Sequence, residues 1–199
     1  MRTFPRARID ALTDGIFAFA MTLLVLELRL PDLPVHEGVA LIADLAALWP
    51  KYLAYVISFF VLAAHWRSNV ELRRVEDISS EAMGLSMIYL FFVTSIPFSS
   101  NVVGLHGDLP PAVWLYAANL IIISALLLRL RVLEILPEHR LPARFGHARI
   151  VVVMATATLS VLASFVVPQH AMYAYLLNLL AGPLAARWYG REAPSSATR

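Results

Sequence analysis

The residues whose type and spacing carry chemical potential lie mostly in one short segment. Arg8 and Asp14 stand six residues apart with the hydroxyl of Thr13 beside the carboxylate, and an apolar run is already under way at Ile9. Ionisable groups inside such a run are costly, so they pair with one another or face a wet interior. Asp10, Thr13 and Asp14 are also residue types that favour a helix start, so N-terminal capping is the competing reading. Beyond Asp14, Phe19, Leu23 and Leu26 fall at i, i+4 and i+7, on one face of a helix, with Thr22 close to it. On spacing alone a stripe of that kind is a packing surface. Glu27 closes the run, and His65 stands near the end of a second apolar run, two residues before Arg67. A lone histidine there reads equally well as an interfacial residue.

Other chemistries find no support. The remaining histidines, at 36, 106, 139, 147 and 170, are scattered at no metal-ligand spacing. Cysteine is absent, and so are a Gly-x-Ser-x-Gly elbow and a phosphate-cradling glycine loop. The expectation is a protein that is not an enzyme and that carries no metal and no cofactor.

The elements that position these residues follow from composition. Of 199 residues, 59% are hydrophobic and 15% charged, against roughly 45–50% and 25% in soluble domains. Mean hydropathy is +0.69. Too few polar residues remain to cover a soluble surface, so the chain reads as an all-α polytopic membrane protein. About 20 apolar residues cross the hydrocarbon core, and that length predicts six helices, over about 9–28, 45–65, 82–103, 110–130, 149–168 and 171–188. Residues 1–191 form one transmembrane domain, 29–44 an external loop with room for a short interfacial helix, and 192–199, with Pro194 and two serines, a disordered tail.

Charge placement gives the orientation. Fourteen of the 16 basic residues precede helix 1, separate helices 2 and 3 or 4 and 5, or follow helix 6; Arg29 and Lys51 are the exceptions. By the positive-inside rule both termini are cytoplasmic, which requires an even number of spans in a multi-pass cell-membrane protein. The formal charge of +2 is thereby explained without a nucleic-acid partner.

Arg8-x-x-x-Leu12-Thr13-Asp14, followed by Gly-Ile-Phe-Ala-Phe-Ala-Met-Thr-Leu-Leu-Val-Leu-Glu27, resembles the opening of the transmembrane protein 175 family of potassium channels. That family's motif is Arg-x-x-x-Phe-Ser-Asp, so Leu12 replaces Phe and Thr13 replaces Ser. A later Trp-x-x-His-x-Arg pattern is met by His65 and Arg67, with Leu62 where the tryptophan would stand and Trp66 out of register. Helix 3 ends on Pro97-Phe98, similar to the family's ending, while Ser86 replaces an asparagine. The resemblance covers helices 1–3, and helices 4–6 only by count and hydropathy.

The resemblance implies a homotetramer in which helix 1 of each subunit lines a central pore for passive, potassium-selective or potassium-preferring conduction. It implies a hydrophobic constriction at Phe19, Leu23 and Leu26, a polar layer at Thr22 where potassium sheds water, and a network of Arg8, Thr13, Asp14 and His65 holding helix 1 from behind. Phe19 stands where Ile or Leu is more usual. Permeant potassium, the bilayer and copies of the chain itself are the implied partners. The alternatives are a proton-coupled secondary transporter relaying protons through Asp14, Glu27 and His65, and a non-conducting structural membrane protein.

Overall fold

A computed structural model describes residues 3–29, 38–70, 77–134 and 144–178. Its elements, in order, are a short strand β1 (Thr3–Pro5), α1 (Arg6–Leu23) with a 3-10 turn at Leu24–Glu27, α2 (Gly38–Ala47) and α3 (Trp49–Val70). A second strand β2 (Asp77–Ser79), α4 (Ser80–Thr94), α5 (Ile96–His106), α6 (Pro110–Glu134), α7 (Arg144–Ser164) and a 3-10 segment at Pro168–Tyr175 follow. The fold is helical apart from β1 and β2, which pair antiparallel with Thr3 opposite Ser79 and so tie the chain's start to the entry of α4.

Two breaks have proline as their cause. A proline ring removes one backbone donor and clashes with the carbonyl four residues back. Pro50 lies just past the break at Leu48, where α2 and α3 meet at 49°. Pro97 lies just past the break at Ser95, between α4 and α5. There the Ser95 hydroxyl donates to the Phe92 carbonyl at 2.8 Å, and the Asn119 amide of α6 donates to Ser99 Oγ at 3.1 Å and to Ser95 Oγ at 3.3 Å. The kink is thus held by polar groups from the neighbouring helix.

Helix α6 is the centre of the bundle and packs on α4, α5 and α7. Val113, Tyr116, Ala117, Leu120, Ile123 and Leu127 are fully buried at three- and four-residue steps, the spacing of a helix enclosed by partners. Small residues admit the close approach of α5 to α3: a Cβ on Gly104 would stand 3.3 Å from the Lys51 Cα.

Among the described residues, three or four segments qualify as spans. Arg6–Glu27, Ser80–His106 and Pro110–Leu133 are long and apolar enough to cross a membrane, and Leu41–Ala47 with Trp49–Val70 makes a fourth if the bent pair is one span. The apolar part of α7, Arg149–Ser164, is shorter. Of the expected sixth helix at 171–188, the structure describes 171–178, which begin as 3-10 rather than α-helix; the expected tail at 192–199 lies outside the described residues. Helix 1 starts at Arg6 and the second span at Gly38, so most of the expected external loop at 29–44 either belongs to α2 or lies outside the described residues.

Among the described residues, Arg6, Arg8, Arg129 and Arg131 gather at one end of the bundle. Arg129 of α6 meets Glu81 of α4 at 3.7 Å, and Arg131 donates to the Ser68 carbonyl near the end of α3 at 2.7 Å. Arg6 and Arg8 begin α1 beside β2. Lys51 lies against Gly104 and Arg29 caps the Leu26 carbonyl at the opposite end.

Candidate functional site

Helix α1 has one buried face and one bare face. Ile9, Phe17, Ala20 and Leu24 are buried at helical spacing, with Phe17 and Leu24 only 1% exposed. The Phe17 ring stands 6.2 Å from the Tyr89 ring of α4, and α1 also packs on α3 and α5. On the opposite side Leu12, Phe19, Leu23 and Leu26 are uncovered, at 42%, 72%, 42% and 55% exposure. Only 22% of α1's apolar window is buried within the subunit, against 50% for α6. The stripe picked out by spacing is therefore not packed within the chain.

Thr22 lies on the bare side. Its Oγ1 donates to the Phe19 carbonyl at 2.9 Å. With the hydroxyl hydrogen committed to the backbone, the oxygen lone pairs are the part presented outward, and lone pairs are what a cation binds. At Leu24–Glu27 the α-helix tightens to 3-10, so Leu26 sits on a turn with 3.0 rather than 3.6 residues.

The motif residues are distributed differently from the sequence expectation. Asp14 lies more than two turns past the start of α1, whose N-cap is Pro5 with no side-chain hydrogen bond, so neither Asp14 nor Thr13 is a cap. Asp10 instead pairs with Arg6 at 3.5 Å, one turn back. Asp14 Oδ1 accepts a hydrogen bond from Trp66 Nε1 of α3 at 2.8 Å. Sequence comparison left Trp66 outside the network because its register differs by four from the family position; one helical turn brings i and i+4 to the same face, and that is the missed signal.

His65 faces the other way. It is buried, with Nδ1 2.9 Å from the Val61 carbonyl and Nε2 3.2 Å from Ser124 Oγ of α6. The subunit thus brings Asp14 to Trp66 and His65 to α6, and joins His65 to neither Asp14 nor Arg8. Arg8 is exposed and Thr13 half-buried. Glu27 is half-buried and, with Lys51, Tyr55 and Asn101, lines a cavity of about 10 Å³, room for one water.

A buried polar seam along α3, α5 and α6 is a feature that sequence reasoning missed. Ser58 bonds Ser100 at 2.9 Å and Tyr116 at 2.8 Å, and Ser100 donates to the Ala54 carbonyl at 3.3 Å. Ser58 and Ser100 lie 42 residues apart in sequence, and only packing shows them to be partners. Among the described residues no group of three His, Cys, Asp or Glu is placed to hold a metal ion.

Comparison with known proteins matches residues 8–97 to the family described as endosomal/lysosomal potassium channel TMEM175. A potassium channel of Chamaesiphon minutus is 32% identical over 127 residues, 62% of this chain and 63% of that protein. A potassium channel of Streptomyces collinus is 35% identical over 92 residues, 46% of this chain and 44% of that protein. The human endosomal/lysosomal proton channel TMEM175 is 31% identical over 101 residues, 47% of this chain and 20% of that protein. Each match spans less than two thirds of the relative's own length. The crystal structure of a lysosomal potassium-selective channel TMEM175 homolog from Chamaesiphon minutus superposes with a TM-score of 0.72 at 24% identity, covering 90% of this chain and 97% of that one. The two share a fold.

Proposed function

We propose that the chain belongs to the transmembrane protein 175 family, as the match of residues 8–97 and the shared fold support, and that it is a cation channel that conducts potassium passively. Its pore is lined by α1 from each of four copies. The observation that carries this reading is the bare apolar stripe of Phe19, Leu23 and Leu26, opposite a face that is fully packed. Four copies of one helix enclose a central passage by symmetry. In the pore, rings of Phe19, Leu23 and Leu26 form a constriction that gates by dewetting, and Thr22 replaces part of an ion's hydration shell. Asp14 and Trp66 hold α1 on α3 from behind the pore, with Arg8 and Thr13 at the same end, and His65 sets the orientation of α3 against α6.

Flux in liposomes tests the reading directly. A potassium gradient with potassium- and proton-sensitive dyes inside should report passive potassium movement that follows the gradient. Saturable exchange coupled to protons supports the transporter alternative instead. Proton movement without potassium movement matches the name of the human relative and removes the potassium assignment, and silence leaves a structural protein. Thr22→Val keeps the shape and removes the lone pairs, so we expect potassium preference over sodium to fall severalfold with little change in melting temperature. Unchanged preference would remove Thr22 from the permeation path.

The absence of native cysteine makes topology and assembly simple to probe. Single cysteines at Gly38 and His106 are expected to label from outside the cell, and at Ser79 and Pro142 only from inside. Chemical crosslinking in mild detergent is expected to stop at four subunits. Labelling of Ser79 from outside inverts the orientation, and a conducting dimer refutes the tetrameric pore.

A further inference from the structure

Three elements meet around the small cavity of about 10 Å³ at the end of the bundle opposite Arg129 and Arg131. The 3-10 turn that finishes α1 brings Glu27, α3 brings Lys51 and Tyr55, and α5 brings Ser100, Asn101 and Gly104. Gly104 permits the approach, since a Cβ there would stand 3.3 Å from the Lys51 Cα. Glu27, Lys51, Tyr55 and Asn101 are all half-buried. Glu27 and Lys51 carry opposite charges and line the same cavity, yet among the described residues they form no direct ion pair. Charges that are partly withdrawn from solvent need a polar partner, and the space between these two has room for one.

We propose that a single water occupies this cavity and joins Glu27 to Lys51, and that the bridge sets the position of Leu26 in the constriction. A cavity of this size holds one water, which takes two to four polar partners. The hydrogen bonds balance: the Lys51 ammonium donates to the water, and the water donates to the Glu27 carboxylate and to Ser100 Oγ. Ser100 has a lone pair left for it, because its own hydrogen goes to the Ala54 carbonyl and Ser58 donates to only one of its two lone pairs. The water thereby ties the end of α1 to the buried polar seam of α3, α5 and α6. Glu27 directly follows Leu26, and one step of 3-10 helix turns the side chain by about 120°. Leu26 is therefore on the bare face while Glu27 lines the cavity against α3 and α5. Holding Glu27 fixes the angle at which Leu26 is presented. Glu27 and Lys51 act as positioning residues, and neither meets the ion. The positioning role rests on the pore reading of α1; the bridge itself does not.

The test is a double-mutant cycle in the full chain with Glu27→Gln and Lys51→Gln. It is read by melting temperature in detergent and by potassium and sodium flux in liposomes. Each single change should lower the melting temperature by several degrees, because it leaves the other charge half-buried without its counter-charge; the double variant should lose much less than the sum. The coupling should survive an increase from about 0.1 to about 1 M KCl, since an enclosed pair is screened far less than one in solvent. Per assembled channel, all three variants should raise flux severalfold and lower the preference for potassium over sodium, because Leu26 is loosened in each. A contribution to stability alone would change only the yield of assembled protein. Asn101→Leu fills the cavity and leaves both charges in place, so it should raise flux in the same way and keeps the test open where a charge variant fails to fold. Additive losses, or coupling that vanishes at high salt, overturn the bridge. Coupling with unchanged flux and preference overturns the positioning of Leu26. A wild type without passive cation flux fails the pore reading, and the melting-temperature cycle then still decides the bridge.

Discussion

Phe19→Ala is expected to raise cation flux on the order of tenfold or more while leaving the melting temperature nearly unchanged. The expectation combines two magnitudes. A buried large apolar side chain costs about 2–5 kcal/mol when truncated, because its neighbours lose contacts and a cavity remains. Phe19 is 72% exposed within its subunit and has few such contacts to lose. In a constriction, however, four rings at one level hold an apolar layer that excludes water, and lowering an ion's barrier there by about 1.4 kcal/mol is a tenfold gain in rate. Leu23→Ala should act in the same direction more weakly, and both should reduce discrimination between potassium and sodium. Leu24→Ala provides the contrast one residue further on: at 1% exposure in the subunit core, it should lose about 2–5 kcal/mol of stability with no rise in flux. Val25 is exposed, so truncation there should do neither. Melting temperature and liposome flux measured side by side decide the matter. If Phe19→Ala unfolds the protein and lowers flux, the stripe is a packing surface.

His65→Ala is expected to cost roughly 2–4 kcal/mol, the scale of a large side chain lost from a filled core with its hydrogen bond to Ser124. Trp66→Phe keeps most of the ring and removes only the donor to Asp14. Side-chain hydrogen bonds between transmembrane helices average about 0.6 kcal/mol, so the loss should be about that size. A double-mutant cycle reads the wiring. Asp14→Asn with Trp66→Phe should be non-additive, since both changes weaken one bond. Asp14→Asn with His65→Ala should add, because those side chains face different helices. Strong coupling between Asp14 and His65, with none between Asp14 and Trp66, would restore the network drawn from the family motif. Asp14→Asn is also expected to lower tetramer yield, by loosening α1 from α3 at the basic end of the bundle.

The membrane class, the apolar stripe of α1 and the one-sided distribution of arginine along the sequence were legible without coordinates. Hydropathy and charge asymmetry are sums over residues and survive ignorance of the fold. Phe19, Leu23 and Leu26 share a face because 3.6 residues make a turn, whatever lies around them. Their exposure could not be read in the same way, because apolar residues facing a core, a lipid tail or a pore have the same residue types. The local form of the spans was hidden for a related reason. Hydropathy predicts where a helix is apolar, but the 49° bend at Leu48 and the 3-10 form of Pro168–Tyr175 depend on local prolines and neighbouring packing.

Residue types and intervals were thus enough for the class of protein, the identity of its first helix and the sidedness of its charge, because each depends on composition or on the fixed period of a single helix. Partnership between helices was decided only by tertiary structure. His65 and Trp66 are adjacent in sequence, yet the 100° between successive residues of a helix sends one to Ser124 and the other to Asp14. Which of the two meets α1 depends on the rotation of α3 about its own axis. That rotation is set by the sum of its contacts with α1, α5 and α7, and no interval along the chain encodes it.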